Sequence, residues 1–137
     1  MFKIFAYVPL LIIPVAIYFI FALMGVNFNQ SSPLLSLSLA SGATWLLTEG
    51  DLVVILGILA IYIEIFKATR SNNASIFEHM TSTFLFVILL VCFLIWDLCG
   101  NSTFFMLLLL SLIDLVGGFT ISISTARRDI GTDEHGL

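Results

Sequence analysis

Charge is what this sequence has least of. Lysine and arginine together number five, aspartate and glutamate nine, and only 10% of the 137 residues are charged. Nucleic acid is excluded as a partner, because the net charge of -4 leaves no basic stripe to neutralise phosphates. A water-soluble domain is excluded too. With 60% of residues hydrophobic and a mean hydropathy of +1.14, one core of a chain this short cannot hide the apolar surface. Lipid is the expected solvent.

Cysteine is nearly absent. Cys92 and Cys99 lie seven apart in one apolar run, which on a single helix puts them on one face, about 10 Å apart and too far for a disulfide. C-x2-C spacing and a second ligand cluster are missing, so no metal site is expected and both read as small buried hydrophobes. Histidine occurs twice, as His79 beside Glu78 and as His135 in the polar tail "TDEHGL". Both read as surface residues. Gly117-Gly118 sits inside an apolar run, not at a strand-to-helix turn, so it is no phosphate loop. Without a nucleophile and base, a metal cluster or paired acids, neither enzymatic activity nor a cofactor is expected.

Long apolar runs are what the sequence has in abundance. "MFKIFAYVPLLIIPVAIYFIFALMGV" begins like a secretory signal, but Ile4 to Val26 is longer than an h-region and lacks a small-x-small cleavage site. It reads as an uncleaved first span, residues 4–26, kinked at Pro9 and Pro14. Thr48 and Asp51 form a capping box that opens a second span, 48–70, and Ser75 with Glu78 opens a third, 76–98. "GNS" at 100–102 breaks the chain before a fourth span, 102–126, and the polar tail 127–137 follows. The expectation is an all-α membrane protein, a bundle of four transmembrane helices in a single integral membrane domain. The one long connection, 27–50, contains "SSPLLSLSLASGATWLL", too apolar for a solvated loop. It reads either as a short helix along the outer interface or as a loop packed on the bundle top, with Trp45 and Trp96 in an aromatic belt.

The few cations orient the bundle. Lys3 precedes the first span, Lys67 and Arg70 follow the second, and Arg127 and Arg128 follow the fourth. The opposite loops carry only acids, Glu49, Asp51 and Asp97. The positive-inside rule therefore places both termini in the cytoplasm, N-in and C-in.

One acid stands apart. Asp114 lies inside "LLLLSLIDLVGGFTISISTARRDIG", roughly 16 Å from Thr103 and roughly 20 Å from Arg127 along a helix, which puts it near the bilayer midplane. Ser111, Asp114, Gly118, Ser122 and Thr125 share one helical face by spacing. Gly118, Ser122 and Ala126 add a small-xxx-small series suited to close helix contact. Tyr18 and the backbone near Gly57 are the candidate partners within the chain. No cation is expected at that depth, so Asp114 is either neutral or partnered by another chain. Glu64 reads as an ordinary interfacial ion pair with Lys67 or Arg70.

"EIFKATRS" at 64–71, "STFF" at 102–105 and "DLVGGFTISISTARRDIG" at 114–131 resemble a group of short alphaproteobacterial four-span inner-membrane proteins. The resemblance covers roughly the last two thirds of the chain. It implies a bacterial inner-membrane location and carries no activity with it. The functional expectation is a non-catalytic accessory or assembly subunit of a larger inner-membrane complex, in contact with lipid and with other membrane subunits or with itself through the fourth helix. The alternative is a small proton-coupled transporter or channel that uses Asp114.

Overall fold

The computed structural model describes residues 8–30, 32–70 and 76–133, with only the backbone of Arg70, Ile76, Thr125, Asp129, Thr132 and Asp133. Among the described residues there are four α-helices: α1 (Ile12–Leu23), α2 (Glu49–Arg70), α3 (Ile76–Ile95) and α4 (Ser102–Asp133). A two-stranded hairpin, β1 (Leu35–Ser38) and β2 (Thr44–Leu47), joins α1 to α2, and a 3-10 turn at Asp97–Cys99 joins α3 to α4. In α2, α3 and α4, the stretches Glu49–Thr69, Phe77–Ile95 and Ser102–Arg128 are long and apolar enough to cross a membrane.

The first helix is shorter than expected. Its 12 residues cover about 18 Å, against the roughly 30 Å of a hydrocarbon core. Proline explains where it starts. Pro14 has no N–H, so it fits the first helical turn, and the chain before it is a tight turn held by Ile12 N–H to Pro9 O (3.1 Å) and Ile13 N–H to Leu10 O (3.0 Å). The two prolines therefore set the beginning of α1 rather than kink its middle. At its other end Gly25 adopts φ +88°, and Val26 N–H reaches back to Phe21 O at 3.0 Å, a glycine-dependent stop.

The connection 27–50 is not an interfacial helix: its start packs on the bundle through Phe28, which stacks on Tyr18 at 4.5 Å, and its middle forms the hairpin. Leu35 pairs with Leu47, Ser36 with Leu46, Leu37 with Trp45 and Ser38 with Thr44, antiparallel. Alternation puts Leu35, Leu37, Trp45 and Leu47 on one face and Ser36, Ser38 and Thr44 with Leu46 on the other. Strand residues 35–46 are exposed, Trp45 at 45% and Leu35 at 47%. Immediately after β2 the capping box closes: Thr48 N–H and Oγ1 both donate to Asp51 Oδ2 (2.9 and 2.8 Å), and Asp51 N–H returns to Thr48 Oγ1 at 3.2 Å.

Helix α4 packs against both α2 and α3, and α1 packs against α2. The buried core gathers Val15, Tyr18 and Ala22 of α1, Val53 of α2, Leu89 of α3, Cys99, and Phe104, Leu107 and Leu108 of α4. Tyr18 locks this end. Its hydroxyl donates to Leu98 O at 2.7 Å and accepts from Asn101 Nδ2 at 2.5 Å, while Asn101 Oδ1 caps α4 through Phe104 N–H at 3.0 Å. Two boundaries differ from the sequence reading. Helix α3 stops at Ile95, so Cys99 lies in the following turn and shares no helix face with Cys92; Cys99 is buried and Cys92 half-buried, both as free thiols. Helix α4 runs seven residues past 126 to Asp133, because the change from apolar to charged residues marks where lipid would end, not where the backbone must leave the helix.

Candidate functional site

The end of the molecule carrying Lys67, Arg127 and Arg128, called here the basic end, also holds its buried polar groups. Three helices deliver them. From α2 come Glu64 and Lys67, one turn apart; from α3 come Glu78, His79 and Ser82; from α4 come Asp114, Gly118 and Ser122. Glu64, Lys67, Glu78, His79, Ser82 and Asp114 line a cleft of about 30 Å³, room for about one or two waters.

Asp114 is 7% exposed, and its Oδ2 accepts a hydrogen bond from Ser82 Oγ at 3.0 Å. The partner is thus a hydroxyl of α3, not Tyr18 and not the backbone near Gly57. Tyr18 is engaged at the far end with Leu98 and Asn101. Gly57 is filled by α4 leucines: a Cβ there would lie 2.7 Å from Leu110 and 3.3 Å from Leu107. Depth also changes. Counting along α4 alone puts Asp114 near the middle, but Ser82 stands six residues from the start of α3 and Glu64 six from the end of α2, about 9 Å from those helix ends. Asp114 therefore sits in the basic-end third of its neighbours.

The small, polar face of α4 is covered by α3. Ser111 is buried and spends its hydroxyl on Leu108 O at 2.7 Å. Gly118 receives the His79 ring: a Cβ there would be 3.0 Å from Cε1 and 3.1 Å from Nδ1. The ring stacks on Phe119 at 4.9 Å and 13°, and His79 Nε2 shares a hydrogen bond with Ser122 Oγ. His79 is accordingly a half-buried packing residue, not a surface one, and at Gly118 and Ser122 the face is occupied within the chain. Thr125 contributes a backbone position on α4, and its side chain is outside the described set. Lys3, Ser75 and His135 lie outside the described residues.

The side chain of Arg70 is outside the described set, and Glu64 has a backbone partner beside the charge of Lys67 on its own helix. Its Oε2 accepts the backbone N–H of Leu10 at 2.7 Å, from the turn that precedes α1, while Lys67 Nζ reaches across to Glu78 Oε1 at 3.4 Å. Arg70 ends α2, and Arg127 and Arg128 are exposed on the basic-end extension of α4.

Sequence reasoning missed the Ser122–His79 pair, since 43 residues separate its members. A hydroxyl on an imidazole is half of a hydrolytic constellation. Among the described residues no acid is hydrogen-bonded to the ring. His79 Nδ1 faces Gly118, where an orienting acid would have to stand. The amides around Ser122 lie mid-helix, already engaged in the helical ladder and unable to hold an oxyanion. The pair fixes the ring. The cleft is lined by charged and hydroxyl groups from the Lys67–Glu78 bridge inward to Asp114. No known protein family, no curated protein and no solved structure matches this chain.

Proposed function

We propose that the protein is a bacterial inner-membrane protein of four spans, both termini cytoplasmic, in which Asp114 exchanges a proton with the cytoplasm through the cleft between α2, α3 and α4. The supporting observation is the cleft itself: Asp114, otherwise enclosed in apolar helices, is reached from the basic end by Glu64, Lys67, Glu78, His79 and Ser82. The positive-inside rule makes that end cytoplasmic. The reading involves no enzymatic step and no cofactor.

Infrared difference spectroscopy of the protein in vesicles, stepped from alkaline to acid pH, tests it. A carboxylic-acid carbonyl band that appears on acidification and is lost in Asp114→Asn is expected. An identical titration in parent and variant defeats the reading.

A second reading, an accessory subunit of a larger membrane complex, is favoured by what lies beyond Asp114. Toward the hairpin the core closes with Leu107, Leu108, Phe104 and Tyr18, all 5% exposed or less, so a proton loaded at Asp114 has no exit on that side within the chain. Extraction in mild detergent followed by native sizing checks this. A lone monomer with nothing co-purifying counts against a subunit role.

A further inference from the structure

The bond between Glu64 and Leu10 is an unusual use of an acid inside a helix bundle, because it joins a side chain of α2 to a main-chain amide 54 residues away. Pro9 has no N–H, so Leu10 carries the first amide after the proline at this entrance to α1, and that amide donates to Glu64. The positive end of a helix and a free amide together make a good seat for a carboxylate anion. A bond to an ionised acceptor is about twice as strong as one to a neutral acceptor. The segment being held is weak in itself. Among the described residues the backbone between Val8 and Ile13 is tied by Ile12 N–H to Pro9 O, Ile13 N–H to Leu10 O and Val15 N–H to Leu11 O, and Pro14 contributes no donor.

Glu64 also lines the cleft that ends at Asp114. Charged or titratable groups face it from every element packed there: Lys67 on its own helix, Glu78 and His79 from α3, Asp114 from α4, and the amide end of α1. A proton that reaches Asp114 from the basic end therefore passes an acid whose charge fastens α1.

We propose that Glu64 is a charge-dependent latch: ionised, it holds the Leu10 amide and the Val8–Leu11 turn against α2, and on taking up a proton from the cytoplasmic water it releases that turn. The inference rests on the proton-exchange reading of the cleft and adds a moving part to it. No covalent bond breaks; one proton adds to a carboxylate oxygen, and the amide is left to water or to a weaker neutral acceptor. The start of α1 would then report the protonation state of a site three helices deep.

The test is a nitroxide at position 8, introduced as Val8→Cys in the full chain with Cys92→Ala and Cys99→Ala, in lipid nanodiscs between pH 8 and pH 5. The expected result is a ratio of mobile to immobile spectral components that rises about fivefold on acidification. In Glu64→Gln the ratio should be high at both pH values, since the amide oxygen is a neutral acceptor, and Glu64→Ala should match it. In Asp114→Asn the pH response of the label should persist while the infrared band is lost. Circular dichroism and a monodisperse elution profile establish that each variant is folded. A Glu64→Gln protein whose label is as immobile as the parent's and responds to pH in the same way overturns the latch. So does a response abolished by Asp114→Asn and kept by Glu64→Gln. A latch response with no Asp114 infrared band overturns the proton-exchange reading and leaves the latch standing.

Discussion

Two adjacent glycines offer a matched experiment on the centre of the site. Replacing glycine by alanine inside a helix stabilises by about 0.5–1 kcal/mol when the new methyl group meets nothing. At Gly117 nothing lies within 4 Å of the added carbon, so Gly117→Ala should gain that amount. At Gly118 the same carbon would sit 3.0 Å from His79 Cε1 and 3.1 Å from Nδ1, against an ordinary carbon contact of about 3.5–4.0 Å. The ring would have to retreat by roughly half an ångström or more. It is held on one side by the stack on Phe119, at 4.9 Å between centroids, and on the other by Ser122. Overpacking of this kind costs about 1–3 kcal/mol, and loss of the His79–Ser122 bond adds about 1 kcal/mol. Gly118→Ala should therefore fall roughly 2–4 kcal/mol below Gly117→Ala in net stability, after the shared helix gain is removed. Reversible unfolding in mixed micelles, titrated with SDS and followed by far-ultraviolet circular dichroism, reads the difference. In a His79→Ala background the penalty should disappear and Gly118→Ala should behave like Gly117→Ala. Equal stability of the two alanine variants with His79 in place would refute the packing of the imidazole against α4.

The opposite end of the bundle supplies two further expectations. Tyr18→Phe removes the hydroxyl between Leu98 O and the Asn101 amide, which keep their direct bond at 3.2 Å, and should cost about 0.5–1.5 kcal/mol by the same titration; Asn101→Ala should cost more, because it also uncaps α4 at Phe104. Unchanged stability in Tyr18→Phe would mean that the lock does not form. Burial pushes the Cys99 thiol up to about 11, with Cys92 adding to the shift, so below that pH the thiolate that reacts with maleimide is scarce in the folded protein. In a Cys92→Ala protein at pH 8, labelling should be slow when folded and fast after SDS unfolding; equal rates in the two states would show that Cys99 is not enclosed.

What the sequence made legible followed from strong, local signals. The apolar runs of α2, α3 and α4 and the Thr48–Asp51 box are decided by residues within a turn or two of each other, and they appear as helices with the box closed. The hairpin was also written locally, in the leucine–serine alternation of 34–39 and the Ser-Gly of the turn, where Gly42 takes φ +84°. It was missed because an apolar stretch between two helices was weighed only as helix or loop, although strict alternation favours a strand. The length of α1 depended on reading Pro14 as a first-turn residue. Side-chain partners were the least legible. Ser82 with Asp114, His79 with Ser122 and Glu64 with Leu10 are separated by 32, 43 and 54 residues. Spacing along one helix shows which residues share a face, and says nothing of which neighbour that face meets.

That difference bears on whether a second chain is needed. The case for one rested on Asp114 as an acid at the midplane without a partner of its own. The cost of an acid in a membrane helix is greatest at the bilayer centre and falls toward the interface. With Asp114 bonded to Ser82, which stands about 9 Å from the start of α3, and lining the small cleft there, both parts of that case weaken together. The carboxyl has one partner within its own chain, the Ser82 hydroxyl. The hairpin has no such cover. Leu35, Leu37 and Trp45 share one face of it, all exposed, and between Gln30 and Thr48 there is no charge to keep that face in water. The exposed apolar face of the hairpin thus offers lipid headgroups or another subunit a second surface, at the opposite end of the molecule from Asp114.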